Sequence, residues 1–511
     1  MPEASAAEPL PRLVASDFYG YLRPSQCGLR VWLREQDAEE APLGVFAATL
    51  MRLGIEHERR HLERFRRHVD IGTLPREQQA AATVELVAAR ERVIYQGRLE
   101  AQTTLAGREV EIVGLPDFML PARSGYAIRD SKLNRRVGPS SLHVALQVEL
   151  YGWLYEQTFG DAPVALQVHA GGGEIFDVPY EDGGKRALET LGRILELRMV
   201  EGEPEEYVGV SKCADCGFHG RCWPMAVKRR DIGLLPGVDR GLIEELHATG
   251  TDTLDELLAD WDVERLAALE RPTRRGPAPV GERSVRILTS ARALAENRSI
   301  LIAPGSLNAA IPDHETYVMF DLEGMPPRHD ELEKIYIWGM QCFGARPGEF
   351  RAAVAGFGAG GDREGWESFL AEAATIFAEH GDLPFVHWAS YEAVKIRLYV
   401  ERYGDRNGVA ARVLGNLVDL LPITREAVAV PLSGYGLKAI ETLTGYERSL
   451  EEFGGDWSMA RYIEAVESDD AVARAAIIDQ ILAYNREDLE ATWAVLEWLR
   501  RLQAAAESGS A

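Results

Sequence analysis

Two carboxylates and a lysine stand close together in the first third of the chain, at Asp117, Asp130 and Lys132. Residues 126–132 alternate apolar and polar side chains, as in a half-buried strand, and a short apolar run at 118–120 precedes them. A hairpin of these runs would bring Asp117 next to Asp130, with Lys132 on the same face as Asp130. Carboxylates hold divalent cations, and a nearby lysine can position water or neutralise charge. The trio predicts metal-dependent phosphodiester hydrolysis; a solvated edge hairpin is the plainer alternative.

The order of these residues resembles the PD-(D/E)XK nuclease motif, with Pro-Asp ending at Asp117 and Asp-Ser-Lys ending at Lys132. Gln147 and Tyr151 lie four residues apart on one face of the next predicted helix. They resemble the Gln-x-x-x-Tyr signature of the RecB-like branch of that superfamily. The resemblance implies a restriction-endonuclease-like α/β/α core in which all five residues are catalytic, and Asp117 and Asp130 hold Mg²⁺ or Mn²⁺.

Upstream, residues 45–69 have helical periodicity and contain His57-Glu58-Arg-Arg-His61. In RecB-like nucleases such a helix supplies a histidine to the metal, so the resemblance assigns that role to His57, with His61 as the alternative. The same residues spell His-Glu-x-x-His, the zinc-binding helix of metallopeptidases. The metzincin continuation of that motif needs Gly at 64 and His at 67, where this chain has arginines. A zinc peptidase is therefore less favoured, and solvated histidines are a further alternative.

Three cysteines cluster after the predicted nuclease core, at Cys213, Cys216 and Cys222, and Cys27 stands far upstream. Closely spaced thiolates favour a soft metal, and Cys27 is available as a fourth ligand. This arrangement resembles that of the iron–sulfur nucleases. It implies that these four cysteines bind a 4Fe–4S cluster that staples the domain. Zinc is the alternative, since His219 could replace a cysteine.

A second set of carboxylates lies in the last two fifths of the chain. An apolar run at 317–320 ends in Asp321-Leu-Glu323, whose carboxylates share one face of a strand. Glu392 follows a later strand, and Tyr484 and Asp488 are four residues apart on a late helix. This order resembles the RNase H-like fold of the DnaQ-type DEDD exonucleases, although that family has aspartate where this chain has Glu392. The resemblance implies that the four acids hold a pair of metal ions and that Tyr484 orients the attacking water.

The sequence therefore predicts a multidomain α/β protein. Residues 1–15, rich in Ala, Pro and Glu, are expected to be disordered. Residues 16–228 are assigned to the RecB-like PD-(D/E)XK domain with its iron–sulfur staple, 229–305 to a helical connector and 306–511 to an RNase H-like mixed-sheet domain. Within the connector, residues 235–254 resemble a helix-hairpin-helix, which binds backbone phosphate, but Asp239 stands where a second glycine is usual. A plain helical connector is equally compatible.

Composition limits the partners. The 511-residue chain has a net charge of −24, which argues against broad, charge-driven binding of nucleic acid. A carboxylate-rich metal site is nevertheless acidic until its ion binds. The sequence shows no membrane-spanning apolar run and no signal peptide, so we expect a cytoplasmic protein without a membrane partner. It also lacks a Gly-x-x-x-x-Gly-Lys-Ser/Thr loop, so any unwinding would require a helicase partner.

The function expected from these features is that of a metal-dependent DNA nuclease with two hydrolytic sites. It would act as an exonuclease on single strands or DNA ends, in repair, recombination or defence. The main alternative is a catalytically silent iron–sulfur scaffold that binds DNA without Mg²⁺- or Mn²⁺-dependent cleavage. A zinc peptidase would instead contain stoichiometric zinc and lose it on His61→Ala.

Overall fold

The computed structural model describes residues 9–23, 25–90, 92–134, 141–273, 275–302, 305–325, 333–450 and 454–508. They fall into two compact units. The first is built mainly from Met1–Glu206 and Lys212–Gly220, and the second mainly from Arg221–Pro327 and Glu331–Ala511. In the ranges described, every helix is too short or too polar to cross a membrane.

The first unit alternates helices with short strands. Its helices are α1 (Ser16–Leu22), α2 (Gly28–Glu35), α3 (Val45–Leu62), α4 (Arg76–Ala89), α5 (Leu142–Phe159) and α6 (Lys185–Arg198). Its strands are β1 (Arg12–Val14), β2 (His68–Asp70), β3 (Val93–Tyr95), β4 (Leu99–Leu105), β5 (Arg108–Gly114), β6 (Phe118–Ala122), β7 (Gly125–Lys132), β8 (Leu166–Ala170) and β9 (Ile175–Val178). The short helix α7 (Val210–Cys213) and α8 (His219–Arg229) contain the boundaries between the units.

Six of these strands form a mixed sheet in the order β2-β3-β6-β7-β8-β9, and β1-β5-β4 form a second sheet. Strands β6 and β7 make the predicted antiparallel hairpin, with Phe118 opposite Arg129, so Asp117 reaches the level of Asp130. Strand β8 runs parallel to β7, and β9 returns antiparallel beside β8. The alternating pattern of residues 126–132 therefore predicted β7 correctly.

Two predicted extents are wrong. The helix predicted over 45–69 ends at Leu62, and residues 68–70 form β2 instead. Part of the N-terminal stretch expected to be disordered is strand β1, which pairs in parallel with β5. Leu13 is fully buried there, so burial of this side chain outweighs the tendency of the surrounding Ala, Pro and Glu residues to stay disordered. Residues 1–8 lie outside the described part of the chain.

The core of the first unit lies between its sheets and helices. Strand residues Ile94, Met119, Ile128 and Val168 pack with Val148, Leu154, Leu191 and Ile194 of α5 and α6. Helix α5 is apolar on most of its circumference, with ten buried residues from Val144 to Tyr155. A helix of this kind is held by tertiary packing on several sides. Its position is therefore fixed against the hairpin.

The second unit begins with a helical segment and continues into a sheet domain. Its helices are α9 (Arg240–Ala248), α10 (Leu254–Asp260), α11 (Val263–Ala268), α12 (Arg283–Glu296), α13 (Ser306–Ala310), α14 (Gly358–His380), α15 (Tyr391–Tyr403), α16 (Val409–Gly415), α17 (Leu420–Ala427), α18 (Leu437–Ile440), α19 (Gly455–Glu467) and α20 (Ala471–Glu507). Its strands are β10 (Glu270–Arg271), β11 (Ala278–Pro279), β12 (Ile300–Leu301), β13 (Thr316–Met325), β14 (Lys334–Gly344), β15 (Arg351–Val354), β16 (Phe385–His387), β17 (Leu417–Asp419) and β18 (Val428–Ala429).

Five strands form the central sheet of this unit in the order β15-β14-β13-β16-β17. Strands β13, β14 and β15 are antiparallel neighbours, whereas β16 and β17 run parallel to β13. Strand β12, from the predicted connector, pairs with β18. The last part of the connector is therefore hydrogen-bonded to the sheet domain.

The two faces of the sheet pack against different helices. Val318 and Phe320 contribute to one core together with Trp366 of α14, whereas Tyr317 and Met319 contribute to another, which includes α20 residues such as Leu489 and Val495. Because side chains alternate along a strand, Asp321 and Glu323 share the side of Tyr317 and Met319. That side carries the long helix α20.

Candidate active sites

The first site lies at the open end of the β6–β7 hairpin. Asp130 Oδ2 is 2.6 Å from Lys132 Nζ, as their two-residue spacing predicted. Asp117 directly precedes β6, and its Oδ2 accepts a 2.7 Å hydrogen bond from the backbone N–H of Ser131. Asp130 is fully buried, and its Oδ1 lacks a hydrogen-bond partner among the described residues. A cation would satisfy such an oxygen.

Glu58 and Gln96 join this site, a role that the sequence did not reveal. Gln96 Nε2 donates to Glu58 Oε1 at 2.6 Å and to Asp117 Oδ1 at 3.4 Å. Gln96 has a φ of 54°, and a non-glycine residue in this left-handed region often marks a functional site. Neither residue carries a periodic signal, because Glu58 falls among other charged residues and Gln96 lies in a short connection between strands.

Gln147 and Tyr151 are brought together on α5, as their spacing predicted. Gln147 Nε2 donates to the Tyr151 hydroxyl at 2.9 Å. Burial, followed by the charges of Asp130 and Asp117, raises the pKa of Tyr151, so the phenol lies within electrostatic reach of both acids. Gly114 makes room for this ring, because a Cβ there would lie 2.8 Å from Tyr151 Cδ1.

The electrostatics of the first site favour a bound cation. Burial raises the pKa of Asp117 well above its usual range, and the charges of Asp130 and Glu58 raise it further, whereas Lys132 lowers it. Burial also lowers the pKa of Lys132, but Asp130 and Asp117 outweigh that effect and leave it raised. Three carboxylates beside one lysine therefore leave an excess of negative charge, and their hard oxygens suit a divalent ion.

His57, His61 and His169 form a buried stack beside this site. The His169 ring is parallel to that of His57, with centroids 4.5 Å apart, and stacks on His61 at 3.7 Å. Burial, the leading cause, lowers the pKa of His61 to about 4 and that of His169 to about 3. Metal-binding imidazoles aim in-plane lone pairs at one point, which parallel rings cannot do. This geometry argues against a peptidase zinc site at His57 and His61.

The structure therefore places the assigned histidine ligand, His57, in a ring stack, with Nε2 3.4 Å from the His169 carbonyl. The α3 residue whose charge raises the pKa of Asp117 is its neighbour Glu58. The choice between them depends on the register of α3, which residue spacing alone did not determine.

Of the four cysteines assigned to an iron–sulfur cluster, Cys27, Cys213 and Cys216 belong to the first unit and Cys222 to the second. All five cysteines of the chain are described, and they form no disulfide. Burial raises the pKa of Cys27 to about 11, and the charge of a Cys216 thiolate contributes a smaller part of that rise. The nearby ammonium of Lys212 opposes that rise. The cluster stays a prediction.

The segment that resembles a helix-hairpin-helix has a carboxylate at its predicted phosphate-binding position. Asp239 caps α9 by accepting a hydrogen bond from the Leu242 backbone N–H at 3.2 Å. Arg271 and Arg283 lie 2.8 Å and 3.4 Å from the same carboxylate. The carboxylate therefore already accepts a helix N-terminal N–H that a phosphate would need, which disfavours phosphate binding there.

The second site lies on the side of the central sheet that carries α20. Asp321 and Glu323 of β13 and Asp488 of α20 each offer a carboxylate oxygen, and these three oxygens lie within 4.8 Å of one another. The predicted acids of the first strand and the last helix are therefore brought together. Glu323 and Asp488 are buried, and Asp321 is partly exposed.

Asn485 fixes the orientation of Asp321 in this site. Its Nδ2 donates to Asp321 Oδ2 at 2.7 Å, and its side chain is completely buried. Gly339 lies opposite Asp321 in the β13–β14 register and provides the space, because a Cβ there would lie 1.7 Å from Asn485 Oδ1. No local pattern predicts this pair, since their contact depends on the packing of α20 against β14.

The remaining predicted residues of the second site, Tyr484 and Glu392, differ in their surroundings. Burial and the charges of Asp488 and Glu323 raise the pKa of Tyr484, which keeps its hydroxyl protonated beside the acids. Glu392 is near enough for its charge to raise the pKa of Asp321, but its carboxylate lies 2.9 Å from His387 Nδ1. Glu392 is not one of the three acids whose oxygens meet.

The acids of the second site raise one another's pKa. Burial, then Asp488 and Glu323, raises the pKa of Asp321 well above its usual range, and burial with Asp488 raises that of Glu323 to about 8. Arg448 opposes this at Asp488, with Nη2 2.6 Å from Asp488 Oδ1. Burial nevertheless leaves the pKa of Asp488 raised.

Comparison with known proteins bears on the second unit. Residues 318–500 match a family model described as the RNase_H superfamily. The C-terminal domain is RNase H-like. Its sheet has three antiparallel strands followed by two parallel ones, and the acids lie in the second half of β13 and on the helix α20. This domain indicates a nuclease-type activity that depends on divalent metal.

Two other comparisons add little. No curated protein matches the chain. A solved structure titled "Crystal structure of SSO0001" is 15% identical, with a TM-score of 0.24, and the match covers 43% of this chain and 89% of that chain. A similarity this low shows neither a shared fold nor a shared function.

Proposed function

We propose that this protein is a divalent-metal-dependent DNA nuclease that acts as an exonuclease on single strands or DNA ends. The observation that carries the proposal is the meeting of Asp321, Glu323 and Asp488 in the RNase H-like domain, with oxygens within 4.8 Å. Three hard oxygen donors in a buried setting fit Mg²⁺ or Mn²⁺ better than a soft metal. When bound, such an ion would polarise the phosphoryl group and lower the pKa of a water.

In the second site the residues of the chain have separable roles. Asp321, Glu323 and Asp488 would hold the metal, with Asn485 keeping Asp321 in one orientation through its 2.7 Å hydrogen bond. Tyr484 remains a neutral phenol near all three acids, so its hydroxyl can orient the attacking water. Glu392 would not bind the metal directly, because its carboxylate pairs with His387.

A second hydrolytic site of the PD-(D/E)XK type is part of the same proposal. Asp117 and Asp130, with Glu58 in place of or beside His57, would hold the ion. Lys132 Nζ, 2.6 Å from Asp130, can position water or neutralise charge on the phosphate. Gln147 and Tyr151 on α5, whose side chains are hydrogen-bonded to each other, would orient the DNA strand.

A 4Fe–4S cluster on Cys27, Cys213, Cys216 and Cys222 would have a structural role in this proposal, with zinc as the alternative. A cysteine that binds a metal is deprotonated, so the raised pKa of Cys27 applies to the thiol without a metal. Iron and sulfide content of anaerobically purified protein would distinguish the two metals.

The test is digestion of single-stranded DNA by wild-type protein with Mn²⁺, with Mg²⁺ or with EDTA, beside a Lys132→Ala/Asp321→Asn double variant. We expect cleavage by the wild type that requires metal, and none by the double variant. An RNA strand of the same sequence tests the choice of substrate. If the wild type leaves every strand intact but still binds DNA, the protein is a scaffold and the nuclease proposal is wrong.

A further inference from the structure

Two cations stand beside the acids of the second site, and they are bound in different ways. The side chain of Arg448 is 9% exposed and engages two acids, with Nε 2.7 Å from Glu441 Oε1 and Nη2 2.6 Å from Asp488 Oδ1. Lys438, on α18, is exposed and forms no ion pair within 4.0 Å among the described residues. The same site thus holds one paired cation and one unpaired cation.

Both cations lie near the ring of Tyr484, whose hydroxyl is proposed to orient the attacking water. Lys438 Nζ lies 5.5 Å from the centroid of the Tyr484 ring, and Arg448 Cζ lies 5.9 Å from it. Lys438 also lies close enough to lower the pKa of Glu323 and Asp488. Its ammonium is therefore beside the acidic trio, although none of the three acids pairs with it directly.

The two cations differ in what they are available to bind. Arg448 pairs with Glu441 and Asp488, whereas Lys438 is exposed and pairs with no acid in the described part of the chain. Arg448 also keeps one nitrogen, Nη1, buried without a hydrogen-bond partner among the described residues. This nitrogen has almost no accessible surface, so a strand can reach the exposed ammonium of Lys438 but not Arg448 Nη1. An exposed ammonium beside the acidic trio suits a phosphate oxygen.

We propose that Lys438 Nζ binds a backbone phosphate of the nucleic-acid strand at the second site. This inference rests on the proposed function, which it deepens by naming a group that holds the substrate. Lys438 is a substrate-binding residue, and Arg448 positions Asp488 through its ion pair. Binding of this kind is compatible with the net charge of −24, because it uses a cation placed at the site rather than a broad basic surface.

The test measures binding in a full-length Lys132→Ala/Asp321→Asn background, so that cleavage does not interfere. Fluorescence anisotropy would follow a labelled oligothymidylate in EDTA and in Ca²⁺ over a range of NaCl concentrations. Each phosphate contact with a single strand contributes about 0.7 to the slope of log Kd against log salt. We expect Lys438→Ala to weaken binding roughly five- to tenfold and to lower that slope by about one contact, and Lys438→Arg to restore both.

Arg501→Ala is the matched control, because Arg501 is an exposed cation on α20, the helix of Tyr484. It lies 17 residues beyond Tyr484, which corresponds to about 25 Å of helix. If Lys438→Ala and Arg501→Ala have the same affinity and slope as the background, the phosphate site is wrong even though the protein is a nuclease. Lys438-dependent binding by a wild type that cleaves nothing would uphold the phosphate site and overturn the nuclease. A background protein that binds no strand overturns both.

Discussion

Burial raises the pKa of a carboxylate in each site, Asp117 in the first and Glu323 in the second. The stability of the folded protein should therefore depend on pH. Glu323 has a pKa of about 8, raised by burial and by Asp488, against an ordinary value of 4.5. The folded state therefore binds this proton more tightly than the unfolded state does. Its contribution to stability is complete below about pH 4.5 and is lost as the pH rises through about 8.

We expect the metal-free protein to lose stability across this window, and Glu323→Gln to remove that part of the loss. Urea unfolding in EDTA between about pH 5 and 9 would measure it. Titrating groups far from Glu323 cancel when the two proteins are compared, whereas Asp321, whose pKa Glu323 raises, contributes to the difference. Millimolar Mn²⁺ should reverse the loss in the wild type, because it binds the ionised acids of the folded state. Parallel pH profiles for the two proteins would show that Glu323 is already ionised.

Gly339 provides a second prediction for a single residue. In Gly339→Ala the new Cβ would lie 1.7 Å from Asn485 Oδ1, so Asn485 must move and release Asp321. We expect a stability loss of about 1–3 kcal/mol from overpacking and a roughly ten- to hundredfold loss of second-site cleavage, as for other groups that orient metal ligands. Both would be measured in a Lys132→Ala background.

Gly360→Ala is the control for that substitution. A Cβ at position 360 meets nothing within 4 Å, and the residue is exposed in α14. Alanine there should be neutral or slightly stabilising. Wild-type cleavage by Gly339→Ala would mean that Asp321 needs no support from Asn485.

At the scale of elements, the register of α3 decides which side chain reaches the first site. The helix buries His57 and His61 in the ring stack and presents Glu58 to Gln96. We expect Glu58→Gln to weaken Mn²⁺ binding and first-site cleavage roughly tenfold or more, because it removes one carboxylate ligand. Calorimetric titration with Mn²⁺ and cleavage in an Asp321→Asn background would measure this. Exposed Glu63 at the end of α3 provides the control, Glu63→Gln. Full activity of Glu58→Gln with loss in His57→Gln would restore the histidine assignment.

Sequence patterns predicted the elements whose signal is local. Alternation over residues 126–132 gave β7, the four-residue spacing gave the Gln147–Tyr151 contact, and the paired acids at the end of β13 gave half of the second site. Contacts between distant segments were missed. Gln96 depends on a left-handed backbone and Asn485 on the packing of α20 over Gly339. Neither requirement leaves a periodic trace.

At the scale of the whole molecule, two units each carry an acidic site on a separate sheet. In each site a basic side chain pairs with one of the acids: Lys132 in the first site and Arg448 in the second. No described residue is shared between the two sets of ligands. This organisation predicts two activities that can be removed one at a time, rather than one composite active site.

We therefore expect Lys132→Ala and Asp321→Asn each to abolish one cleavage activity and to leave the other at its wild-type rate. Digestion of single-stranded DNA labelled at either end, with Mn²⁺ and anaerobically purified protein, would separate them. RNase H-like exonuclease sites and RecB-like sites are expected to start from opposite ends, so the two variants should shorten the strand from opposite labels. Arg501→Ala should retain both activities. If either single variant stops all cleavage, the hypothesis of two independent sites is wrong.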